Sequence, residues 1–92
     1  MEYIITFKNT NFAIKAEQCL LEQQLNVRVM PLPSQISAGC GICLRMEQDD
    51  IGAALRVLAD RSINEVGLFS RETVDKQFFY AEICDRSILL EL

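Results

Sequence analysis

Between Tyr3 and Ser70 the apolar residues switch back and forth between the period of a strand and the period of a helix, and the order of those switches constrains the fold more than any other feature of the chain. Tyr3 to Lys8 is rich in aromatic and β-branched residues, with Tyr3, Ile5 and Phe7 on one face, and predicts a strand. Asn9 to Asn11 then offers helix N-caps. The helix expected after them runs to about Gln24, with Phe12, Ala13, Ala16, Cys19 and Leu20 as its main apolar stripe. Ile14, Leu21 and Leu25 form a smaller stripe roughly opposite, so this helix is expected to touch the sheet on one side and a tail or second subunit on the other. Asn26 suits a C-cap. Val27 to Pro33 reads as a second strand whose prolines fit a sheet edge or strand end.

Ser34 to Gly39 reads as a loop, and Gly41 to Met46 as a third strand with Ile42, Leu44 and Met46 on one face and Cys43 and Arg45 on the other. Asp49 or Asp50 is expected to cap a second helix, whose core stripe is Ile51, Ala54, Leu55 and Leu58. Asn64 to Ser70 completes the pattern as a fourth strand. The order β-α-β-β-α-β predicts an α+β, ferredoxin-like sandwich over residues 1–72, a four-stranded antiparallel sheet with both helices on one face. Residues 73–92 are a hydrophobic C-terminal extension, expected to pack on this domain or on a second subunit. Its secondary structure stays open: Val74, Phe78 and Ala81 fit a helix, and Phe79, Ala81 and Ile83 fit a strand. Ile4, Met30 and Phe69 are expected on the open side of the sheet, under that extension.

Composition removes several function classes. A net charge of −4 argues against nucleic acid and anionic membranes, which both require a basic footprint. The sequence contains no histidine, which takes away the usual general base near neutral pH and the usual imidazole zinc ligand. No apolar run approaches the about 18 residues of a membrane span. The N-terminal stretch enters a strand pattern with no basic leader, so the expected location is cytoplasmic. Thiols there are mostly reduced, and the four cysteines are not read as two structural disulfides.

The chemistry concentrates in Gly39-Cys40-Gly41-Ile42-Cys43, which holds half of the chain's four glycines and half of its four cysteines. Glycine on both sides of Cys40 admits unusual backbone angles and lets another molecule approach. Consecutive N–H groups in such a bend can also stabilise a thiolate. A tight turn with an incidental cysteine fits the local pattern equally well. A zinc site would have to recruit Cys19 and Cys84 or carboxylates at poor spacing, so no metal is expected. A Cys40/Cys43 redox pair would need Cys40 to curl back, because positions three apart on a strand face opposite ways. The remaining alternative is one working thiol, Cys40, with Cys43 as a strand residue or a resolving thiol. Cys19 and Cys84 read as packing residues.

The stretch from Lys8 to Met46, with Ala13, Ala16 and Glu17 in the helix and Pro31, Pro33, Ile36, Ser37, Gly39, Cys40 and Gly41 in the loop, resembles a family of small bacterial selenium/sulfur carrier-like proteins. The resemblance covers roughly residues 3–70. It implies a carrier that holds a persulfide or perselenide on Cys40 and needs no cofactor. A cysteine desulfurase-type donor and a thiol acceptor protein would be its partners. Ser37, Gly39, Gly41 and Arg45 would serve that thiol as binding or clearance residues. The thiol at Cys43 and the length of the apolar tail depart from the family pattern. Two rivals remain: an interaction module that oligomerises, as a homodimer for example, through its tail or helix face, and a Cys40/Cys43 dithiol switch.

Overall fold

The computed structural model describes residues 1–36, 41–63 and 65–83. The chain runs β1 (Glu2–Phe7), α1 (Thr10–Glu22), β2 (Val27–Pro31), β3 (Ile42–Glu47), α2 (Gln48–Asp60), β4 (Val66–Val74) and β5 (Gln77–Glu82). The sheet is antiparallel throughout, in the order β2-β3-β1-β4-β5. The fold is therefore α+β, as expected, but among the described residues the sheet has five strands where four were predicted. The additional strand comes from the extension. β4 continues past residue 72 to Val74, a two-residue turn at Asp75–Lys76 follows, and β5 returns along its outer edge.

The period-two alternation of β1 sorts its side chains between two hydrophobic clusters. Tyr3, Ile5 and Phe7 join Leu44 and Met46 of β3 and Leu68 of β4 under both helices. Ala13, Ala16 and Leu20 of α1 and Ile51, Ala54, Leu55 and Leu58 of α2 close that core. On the other face Ile4, Ile36 and Cys43 form a smaller cluster with Met30, Leu32, Phe69 and Tyr80 packed against it. The expected placement of Ile4, Met30 and Phe69 on the open face thus holds, and part of their cover is β5 itself through Tyr80.

The helix ends differ from expectation in instructive ways. Asn9 is the N-cap of α1, its Oδ1 accepting from the Phe12 N–H at 3.0 Å. The C-cap is Gln23, and Gln24, at φ 61°, makes the left-handed exit expected of Asn26. α2 follows β3 with no linker: Glu47 is its N-cap without a side-chain cap bond, and Asp49 and Asp50 sit in the first turn. There they favour the positive end of the helix dipole instead of capping it. Ile14 and Leu21 of the second stripe are exposed, whereas Leu25 packs on the helix-side core.

Candidate functional site

The loop between β2 and β3 has a defined base. The Leu32 N–H donates to the Gly41 carbonyl at 3.0 Å, so the chain leaves β2 and re-enters β3 through a hydrogen-bonded neck. Within it the Ile36 N–H donates to the Pro33 carbonyl at 3.0 Å, closing a turn, and Ile36 is buried against Ile4 and Cys43. Proline at both ends of the outgoing arm explains the abrupt strand stop, since neither Pro31 nor Pro33 has an N–H for a ladder. Ser37, Gly39 and Cys40 lie outside the described residues. Gly41 is exposed, its φ is not positive, and a Cβ built on it meets nothing within 4 Å among the described residues. Among the described residues, then, Gly41 contributes clearance and not a left-handed backbone.

Cys43 has a different environment. It faces the open side of the sheet, opposite in direction to Ile42 and Leu44, as its position on the strand predicted. Its relative exposure is 0%, and its Sγ points at the Pro31 carbonyl at 3.8 Å. The thiol becomes reachable only when the cluster it shares with Ile4 and Ile36 opens. Cys19, on α1, is buried as a small apolar residue would be.

Arg45 shares the Cys43 face but is four residues beyond Gly41, and it is engaged elsewhere. Its Nη1 donates to Glu2 Oε2, while Arg71 donates to Glu2 Oε1 through Nε at 2.8 Å and through Nη2. The Phe78 ring lies over the Arg71 guanidinium at 4.2 Å. Burial pushes the Glu2 carboxyl up, but hydrogen bonds and charge from Arg71 and Arg45 outweigh it and hold the pKa below the usual carboxylate range. Burial alone would lower Arg71, yet its bonds to Glu2 and Tyr80 leave it raised. Sequence reasoning missed this cluster because Glu2 is 43 residues from Arg45 and 69 from Arg71, with no local pattern linking them.

At the loop-neck end of the sheet, Lys8 and Glu65 pair at 3.4 Å and, with Phe12, Ser62 and Ile63, line a shallow cavity of about 390 Å³. The N-terminus of α1 opens at the same end, because β1 runs antiparallel to β3 and Thr6 is level with Cys43. Among the described residues no three His, Cys, Asp or Glu side chains cluster as metal ligands. No described helix is long and apolar enough to cross a membrane.

Comparison with known proteins gives one match. The family model described as "Putative Se/S carrier protein-like" matches residues 2–70, which span β1 to the middle of β4. No curated protein and no solved structure matches the chain.

Proposed function

The chain belongs to the family that residues 2–70 match, the Se/S carrier protein-like family, and from that premise we propose that it carries sulfur or selenium on Cys40. β1 to β4 with the two helices have the strand order of a ferredoxin-like sandwich, and β5 is an addition to it. The observation that carries the reading is the form of the loop. A hydrogen-bonded neck and a buried Ile36 anchor it to the sheet, while Gly41, one peptide bond from Cys40, is exposed, and a Cβ built on it meets nothing within 4 Å among the described residues. A carrier thiol has to meet two partner proteins in turn, and that favours clearance over enclosure.

The chemistry is thiol exchange. The Cys40 thiolate attacks the outer sulfur of a donor persulfide, the donor's S–S bond breaks, and the donor cysteine leaves as a thiolate. An acceptor thiolate then attacks the outer sulfur now on Cys40 and releases Cys40 as a thiolate. Both steps conserve electrons, so neither requires an outside oxidant, a cofactor or a histidine base. They suit a reducing, cytoplasmic setting. Ser37 and loop N–H groups would stabilise the anionic terminal sulfur, and Gly39 and Gly41 would leave room for donor and acceptor. The burial of Cys43 favours the single-thiol form of this reading over a Cys40/Cys43 switch, because a resolving attack would first have to open the Ile4–Ile36–Cys43 cluster.

Incubation with a cysteine desulfurase and cysteine, followed by intact-mass measurement, tests the proposal. One added sulfur atom is expected on the wild type and on Cys43→Ala, and none on Cys40→Ser. An unmodified wild type, or an equal adduct on Cys40→Ser, would overturn it.

A further inference from the structure

The two edges of the described sheet are built differently. The β2 edge is short, carries Arg28 and ends at Pro31, devices that discourage pairing with another strand. The β5 edge has no proline or glycine and presents three aromatics in succession, Phe78, Phe79 and Tyr80. Phe78 and Phe79 are 48% and 53% exposed, one on each face of the strand.

The backbone of β5 is also suitably turned. Its turn has two residues, so Val74 and Gln77 are the terminal hydrogen-bonded pair and the odd-numbered residues of β5 bond to β4. The Ile83 N–H, which donates to the Leu68 carbonyl at 2.8 Å, follows the same alternation. The N–H and C=O groups of Phe78, Tyr80 and Glu82 therefore point away from β4, along the outer edge of the described sheet.

We propose that β5 is a self-complementary edge that pairs antiparallel with β5 of a second copy of this chain, with Phe79 on the two-fold axis. In this register Phe78 lies opposite the second copy's Tyr80, Gln77 opposite its Ala81, and Lys76 opposite its Glu82. The outward-turned residues Phe78 and Tyr80 then exchange ladder bonds. The two Phe79 rings meet as a close, non-hydrogen-bonded pair on the helix side of the sheet. Two Lys76–Glu82 ion pairs, one at each end, flank the aromatic centre. Each uses a carboxylate with acceptor sites for more than one donor, so existing contacts of Glu82 need not break. Shifting the register by two residues keeps the backbone bonds but loses both ion pairs and the Phe79 pair, and this is what selects the register. A single strand pairing is at the small end of protein interfaces, so reversible association in the micromolar range is expected.

Sedimentation of the full chain under reductant, over a concentration series, provides the first test. A monomer–dimer equilibrium is expected, weakened about tenfold or more by Lys76→Glu, which opposes two like-charged pairs. The double swap Lys76→Glu/Glu82→Lys should restore it. The second test fixes the register. In a Cys40→Ser/Cys84→Ser background, Phe79→Cys should form a reducible covalent dimer on mild oxidation, and Gln77→Cys, separated from its own symmetry mate by four residues of strand, should not. A chain that stays monomeric at every concentration overturns the proposal. So does a dimer that is indifferent to Lys76→Glu, that cross-links equally through residue 77, or that is abolished instead by Ile14→Lys or Leu21→Lys on the exposed side of α1.

Discussion

Glu2 is the residue on which the far half of the open sheet face depends, because two arginines from two different strands converge on its single carboxylate. Arg71 is only 9% exposed, so replacing the carboxylate with a neutral amide leaves a buried cation without its compensating charge. Glu2→Gln should cost about 1–3 kcal/mol at neutral pH, measured by urea unfolding. The pH dependence follows from the depressed carboxyl pKa. The stabilisation is complete above the ordinary carboxylate range and is lost as pH falls through the lowered folded-state value. The stability gap between wild type and Glu2→Gln should therefore begin to narrow as pH falls through the ordinary carboxylate range, and should close once pH passes below the lowered folded-state value. A gap that stays constant would show that the charge of Glu2 is not what holds the two arginines. Two glycines make a second contrast at this scale. Gly67 is directly across from Thr6, and a Cβ there would meet Thr6 Oγ1 at 2.3 Å. Gly67→Ala should cost about 1–3 kcal/mol, most of it recovered in Gly67→Ala/Thr6→Ala. Gly41→Ala, with open space around it among the described residues, should change stability by no more than about 0.5 kcal/mol, so any loss of sulfur loading it causes reports on clearance and not on folding.

Elements whose boundaries are marked by side-chain chemistry were legible in the sequence, and those marked by backbone alone were not. Asn9 announces α1 because an amide oxygen is the right length to reach the Phe12 N–H, and Asn9→Ala should lower the unfolding free energy by about 1 kcal/mol. The start of α2 gave no such signal: Glu47 ends a strand and begins a helix with no capping side chain, which is why the aspartates two and three residues on drew the assignment. The β4–β5 hairpin was hidden for a related reason. Its turn has positive φ at both central residues, 50° at Asp75 and 67° at Lys76, and such turns usually advertise themselves with Asn-Gly or Asp-Gly. Lacking the glycine, the segment after residue 72 fitted helix and strand equally. The same geometry predicts that Asp75→Asn/Lys76→Gly, which relieves the left-handed strain, should raise the thermal midpoint with a gain of about 0.5–1 kcal/mol. No gain would mean that hairpin formation contributes little to the global transition.

For the molecule as a whole, the sheet separates two tasks. Its helix side holds the large core, and its open side holds a small cluster that ties the loop of the Gly-Cys-Gly motif to the strands through Ile36, Ile4 and Cys43. The face on which Cys43 lies could be read from strand alternation. Its burial could not, because the residues that cover it come from the loop and from positions far along the chain. This arrangement makes Ile36 a local anchor and not a core residue. Ile36→Ala removes one of the three buried members of that cluster and leaves the helix-side core intact, so the local opening that exposes Cys43 should become easier than global unfolding. Alkylation of the native protein, followed residue by residue by mass spectrometry, should show Cys43 labelling about tenfold or more faster in Ile36→Ala than in wild type. Cys19, buried on α1 across the sheet, provides the internal control and should change much less. If Cys19 and Cys43 accelerate together, the loop is not an independently opening unit, and access to the Cys43 thiol requires the whole fold to come apart.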